Sequence, residues 1–187
     1  MAKENKNKFQ ILAHTDSLTG IYNRYGFDEL AEQMITKNPE AKFVAVLLDI
    51  DNDHLDYFKT MDNLVRSFGK FVSMSKVAVV NGDDPLVKKA IEGFEGEVIT
   101  FGLDASNDYY ATDIKQAKHG YAFTVNYRSE PLFRLELSVP GKHNVYNMLS
   151  AVAVGKYYGI ENDGIKDSLS KFGGAGRRFE KLGEWNS

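Results

Sequence analysis

Residues 76–103 read KVAVVNGDDPLVKKAIEGFEGEVITFGL, and this stretch decides the fold class. KVAVV is an apolar run of strand length, the pattern of a strand buried on both faces of a parallel sheet. NGDD then turns the chain. DPLVKKAIEGF reads as a short helix, with Asp84 as its N-cap and Pro85 at the first helical position, where a missing N–H costs nothing. EVITFGL is a further strand. Strand, helix and strand in this order imply a right-handed parallel crossover.

The pattern extends upstream. FVAVLLDI, residues 43–50, is another continuous apolar run, expected to form a central parallel strand. Residues 55–74 return to helical spacing through Leu55, Phe58, Met61, Leu64, Val65, Phe68, Phe71 and Val72. Helical spacing also runs from Phe9 to about Met34, and Asn38-Pro39 ends it. Downstream the rhythm changes. YAFTVNYR and PLFRLELSV alternate apolar and polar residues, so 109–139 reads as an antiparallel hairpin with one wet face. HNVYNMLSAVAVGKYYGI follows as an apolar helix closed by Gly159, then IKDSLSKF as a second helix, and GGAGRR as a flexible exit. The expected fold is α/β: a three-layer domain with a mainly parallel sheet, helices on both faces and a small antiparallel hairpin. No stretch inside 43–172 looks like a linker, so residues 1–187 are read as one fused domain, with helices near 16–36 covering one face.

Composition narrows the function. The 187 residues carry a net charge of −3 and no cysteine. This excludes disulfides, thiolate metal sites and cysteine nucleophiles, and it fits a cytoplasmic protein. There is no basic footprint for nucleic acid. No apolar run reaches the roughly 20 residues of a membrane helix, and MAKENKNK has no apolar core of a signal peptide.

Two resemblances emerge from particular residues. HTDSLTGIYNRYGFDEL (14–30) followed by FVAVLLDIDN resembles the opening of a GGDEF (diguanylate cyclase) domain, through Asp16, Leu18, Thr19, Gly20, Asn23, Arg24, Phe27, Asp49 and Asp51. Residues 52–187 resemble the central part of a Mur ligase, and within that family the L-alanine-adding branch. Four spaced blocks carry this likeness: Asn52-Asp53-His54-Leu55-Asp56, Asn81-Gly82-Asp83-Asp84-Pro85, Pro140-Gly141-Lys142-His143-Asn144 with Asn147, and Phe172 with Arg177-Arg178. The two meet near Asn52, so the chain is expected to be a chimera, with residues 1–51 from one family and 52–187 from the other.

The resemblances imply candidate sites. Asp49, Asp51 and His54 match residues around a magnesium ion, a cation that takes oxygen ligands and substrate phosphates. Carboxylates at a strand end also cap the following helix in solvent, and that alternative stays open. His143, Asn144 and Asn147 match residues near the adenine and ribose of ATP, and Arg177 matches an arginine that approaches its phosphates. The alternative here is a structural helix start, with Asn144 as cap and His143 bonded to a nearby carbonyl. Asp83 and Asp84 are read first as helix capping.

No string G-x-x-x-x-G-K-[ST] occurs, and neither does the GGDEF hairpin. The expected function is therefore a recombined, engineered scaffold that is not an enzyme and requires no cofactor. The alternative is a residual binding module for ATP or ADP with weak magnesium. Expected partners exclude nucleic acid and membrane. A homodimer through apolar surface left uncovered is a further expectation.

Overall fold

The computed structural model describes residues 44–47, 50 and 58–173. The chain divides into two compact units, Met1–Lys42 and Phe43–Ser187, and every described residue lies in the second. The helices expected near 9–36 lie outside the described residues.

Six strands form one sheet in the order β1-β2-β3-β4-β5-β6. They are β1 (Val44–Leu47), β2 (Val77–Asn81), β3 (Glu97–Gly102), β4 (Tyr109–Gln116), β5 (Tyr121–Tyr127) and β6 (Glu130–Glu136). The first four are mutually parallel and the last three form an antiparallel meander. The helices are α1 (Met61–Ser73), α2 (Pro85–Ala90), α3 (His143–Tyr157) and α4 (Asn162–Ser170).

Side-chain alternation along the parallel strands builds two cores. Val79 faces α3 and α4, in a cluster with Phe101, Phe123, Leu135, Val145, Leu149 and Ile165. Ala78 and Val80 face the opposite side, with Leu64, Val65, Val72 and Val87 from α1 and α2. β2 is buried along its whole length because both of its faces are covered. The three-layer α/β architecture expected from the sequence is thus present.

Local signals set the helix ends. Thr60 caps α1, its side chain accepting from the amide of Asn63 at 3.2 Å. Gly159, at φ 75°, lies just beyond the end of α3 in the left-handed conformation that glycine adopts freely. Gly69 lets the two helices of one layer approach, since a Cβ there would stand 2.7 Å from the carbonyl oxygen of Ala90.

Two features differ from expectation. FVAVLLDI does join the same sheet as KVAVV, with Val44 beside Val77. Among the described residues, however, β1 is the outermost strand rather than a central one, and Val46 is 39% exposed. The expected hairpin is a three-stranded meander, because YYATDIKQ is also a strand. Parallel neighbours ordinarily need a crossover of a dozen or more residues. Here β4 follows β3 through residues 103–108 alone. This is possible because only two residue pairs overlap, Phe101 with Tyr109 and Gly102 with Tyr110. Asp108 and Thr100 clasp the junction. The Thr100 amide donates to the Asp108 carboxylate at 3.0 Å, and the Asp108 amide donates to the Thr100 hydroxyl at 2.8 Å.

Candidate functional site at the carboxyl ends of the parallel strands

In open α/β sheets the crevice beyond the carboxyl ends of the strands is where ligands bind. Here that edge is made by Ile50 after β1, the Asn81–Pro85 turn after β2, and Leu103–Asp108 after β3.

The turn starts from Asn81, whose side-chain oxygen accepts from the amide of Asp83 at 3.0 Å. Asp84 does two jobs. Its Oδ1 accepts from the amides of Leu86 and Val87 at 2.8 and 3.4 Å, capping α2 as the sequence implies. Its Oδ2 accepts from the amide of Ile50 at 3.0 Å, fastening the end of β1 to the start of α2.

Asp83 gathers a larger network. Oδ2 accepts from the amide of Leu103 at 2.6 Å and from the hydroxyl of Tyr146 at 3.1 Å. Oδ1 accepts from the amide of Asp104 at 3.3 Å and from the Asn107 side chain at 2.8 Å. The buried Asn107 amide is held between two glycines. A Cβ at Gly82 would collide with its oxygen, and one at Gly102 would stand 2.6 Å from its nitrogen. The Asp104 carboxyl is held below its ordinary range by the amide of Ser106, which donates to it at 2.8 Å.

The tyrosine hydroxyl on Asp83 brings α3 to this edge. His143, Asn144 and Asn147 all lie in the first two turns of that helix. His143 is exposed, and its ring lies over Gly141, which at φ +95° has no Cβ to obstruct it. Asn144 does not cap the helix. The N-cap is Lys142, which makes no side-chain capping bond. Asn144 instead donates through Nδ2 to the carbonyl of Pro140 at 2.6 Å, and its Oδ1 accepts from Asn147 Nδ2 at 3.2 Å. Burial and the neighbouring Asp83 charge push the Tyr146 hydroxyl up to about 12, so it stays protonated, and a donor, through the neutral range.

The structure thus brings His143, Asn144 and Asn147 together and attaches their helix to the Asp83–Asp84 turn. Asp49, Asp51, His54 and Arg177 lie outside the described residues. Among the described residues there is no cluster of three metal-ligating side chains. No helix among the described residues is long and apolar enough to cross a membrane. Tyr146 and Asn107 escaped the sequence reading. Tyr146 falls within a quoted block but looks like one more apolar helix position, and nothing in the periodicity marks Asn107 as buried.

Comparison with known proteins sets this geometry in a family. The Mur ligase middle domain matches residues 26–155. UDP-N-acetylmuramate–L-alanine ligase of Caldicellulosiruptor bescii is 41% identical over 162 residues, 84% of this chain and 35% of the relative. The same-named ligase of Caldanaerobacter subterraneus subsp. tengcongensis is 39% identical over 145 residues, 75% of this chain and 32% of the relative. The chain spans about a third of the length of these relatives. Among solved structures, UDP-N-acetylmuramate–alanine ligase MurC from Thermotoga maritima shares the fold at TM-score 0.63, with 24% identity over 73% of this chain and 30% of that one.

These matches correct two expectations. The family match covers residues 26–155 and so spans residue 52, where a seam between two families was expected. The relatives are named ligases, so the reading as an engineered, catalytically silent chimera and non-enzyme is overturned. The chain belongs to the Mur ligase middle-domain family.

Proposed function

We propose that this chain supplies the adenine-nucleotide side of an ATP-dependent ligase of the kind that joins L-alanine to UDP-N-acetylmuramate. In this reading His143, Asn144 and Asn147 meet the base and ribose, and Arg177 meets the phosphates. Asp49, Asp51 and His54 are the candidate holders of magnesium, which would supply charge neutralisation at the phosphates. The GGDEF-like signature of residues 14–52 plays no part in it.

The observation that carries the proposal is the placement of α3. Its first turn stands at the carboxyl edge of the parallel strands, tied to the β2–α2 turn by the 3.1 Å bond between Tyr146 and Asp83. That edge is where such folds bind nucleotides. The amides of Asn144 and Asn147 are linked in series from the Pro140 carbonyl, which fixes their donor and acceptor directions. An oriented amide can read an adenine edge, which offers one donor and one acceptor side by side.

Calorimetric titration of the full chain with ADP and magnesium tests this. Saturable binding that Asn147→Ala weakens at least tenfold is the expected result. A chain that gives no heat, and no rise in Tm at millimolar ADP, does not hold a nucleotide, because a bound ligand must stabilise the folded state.

A further inference from the structure

We propose that Tyr146 is a positioning residue for the nucleotide site. Its hydroxyl on Asp83 fixes the first turn of α3, and with it His143 and Asn147, against the exit of β2. The inference rests on the nucleotide reading above and adds to it a residue that touches no ligand.

The start of α3 lacks a side-chain N-cap, and its local side-chain tie is the bond from Asn144 to the Pro140 carbonyl. Lys142 occupies the N-cap without a side-chain bond, and the preceding Gly141 is at φ +95°, a conformation that is easily reached and easily left. A helix start ordinarily gains order from a capping side chain. Here a tertiary bond takes that role, between residues 63 positions apart in the chain. Tyr146 follows His143 by three residues, so the two are neighbours on the helix surface, and Asn147 is the next residue along the same turn.

The anchor is itself rigid. Asp83 already accepts from the amides of Leu103 and Asp104 and from Asn107, so it needs no rearrangement to receive the hydroxyl. The body of α3 does not depend on the tie. Val145, Met148, Leu149, Val152 and Ala153 are buried beneath it and hold the helix on the sheet. Loss of the hydroxyl should therefore loosen the exposed side of the first turn, where His143 lies, and leave the fold in place. That separation makes the role testable.

The experiment is a double-mutant cycle on the full chain, titrated with ADP and magnesium. Tyr146→Phe removes one oxygen. It is expected to weaken ADP about fivefold, within the usual range for coupling between sites, while Tm falls by no more than about 4 °C. In the Asn147→Ala background the same change should have a clearly smaller effect, because one of the two positioned residues is gone and only the part acting through His143 remains. A hydroxyl with a merely structural role would weaken ADP equally in both backgrounds, and that outcome overturns the inference. Unchanged affinity in Tyr146→Phe overturns it too, while leaving the nucleotide site itself standing. An unmutated chain that fails to bind ADP removes the underlying reading and this inference with it.

Discussion

Asp84→Ala is the most informative single change to the scaffold, because one carboxylate serves two elements. Its Oδ1 caps α2 through Leu86 and Val87, and the loss of an N-cap acceptor costs about 1 kcal/mol. Its Oδ2 accepts from Ile50, a residue only 5% exposed. Stranding that buried amide adds about 1–3 kcal/mol. The expected total is about 3 kcal/mol, or roughly 6–12 °C in Tm for a chain of this size. Asp84→Asn separates the two terms. Asparagine caps helices as well as aspartate does, but its second atom is a donor and cannot accept from Ile50. It should lose about 1–3 kcal/mol and keep the cap. Thermal unfolding followed by circular dichroism measures both, and hydrogen exchange at the Ile50 amide should accelerate in each variant. If Asp84→Ala unfolds within 1 °C of the unmutated chain, the reasoning that joins β1 to α2 through this carboxylate is wrong.

Two other outcomes follow from the packing and the charges. Gly69→Ala gains about 1 kcal/mol of helix propensity, but its Cβ would press on the Ala90 carbonyl at 2.7 Å, and overpacking of this kind costs about 1–3 kcal/mol. A net loss of roughly 1 kcal/mol in urea unfolding is expected, and a stabilised variant would refute the close approach of α1 and α2. Tyr109 and Tyr146 are both raised from the ordinary 10.0 to about 12, chiefly by burial. Each keeps its proton in the folded chain where the unfolded chain has lost it. Their contribution is thus fully present below pH 10 and is lost as pH rises toward 12. Tyrosinate absorbance should show a late-ionising class in the folded protein and none in urea.

Much of the fold was legible in the sequence, and the reason is local. The apolar runs KVAVV and EVITFGL, separated by a helix that Asp84-Pro85 starts, read as successive parallel strands. These signals are written in neighbouring residues, and the structure agrees with each. The family was legible in the same way, through the blocks at 81–85 and 140–147. The shorter likeness at 14–52, weaker than the four downstream blocks, suggested a seam near residue 52, and the family match over residues 26–155 spans that position.

The sequence by itself determined that strands and helices alternate, which faces of them are apolar, and where α2 begins. Only the tertiary structure decided that β1 is outermost among the described strands, and that YYATDIKQ pairs beside β3 across a loop too short for an ordinary crossover. It alone decided that Asp83 holds Tyr146. The difference is physical: periodicity and capping act over three or four residues, whereas a carboxylate's choice of partner 63 positions away depends on where packing has already placed both.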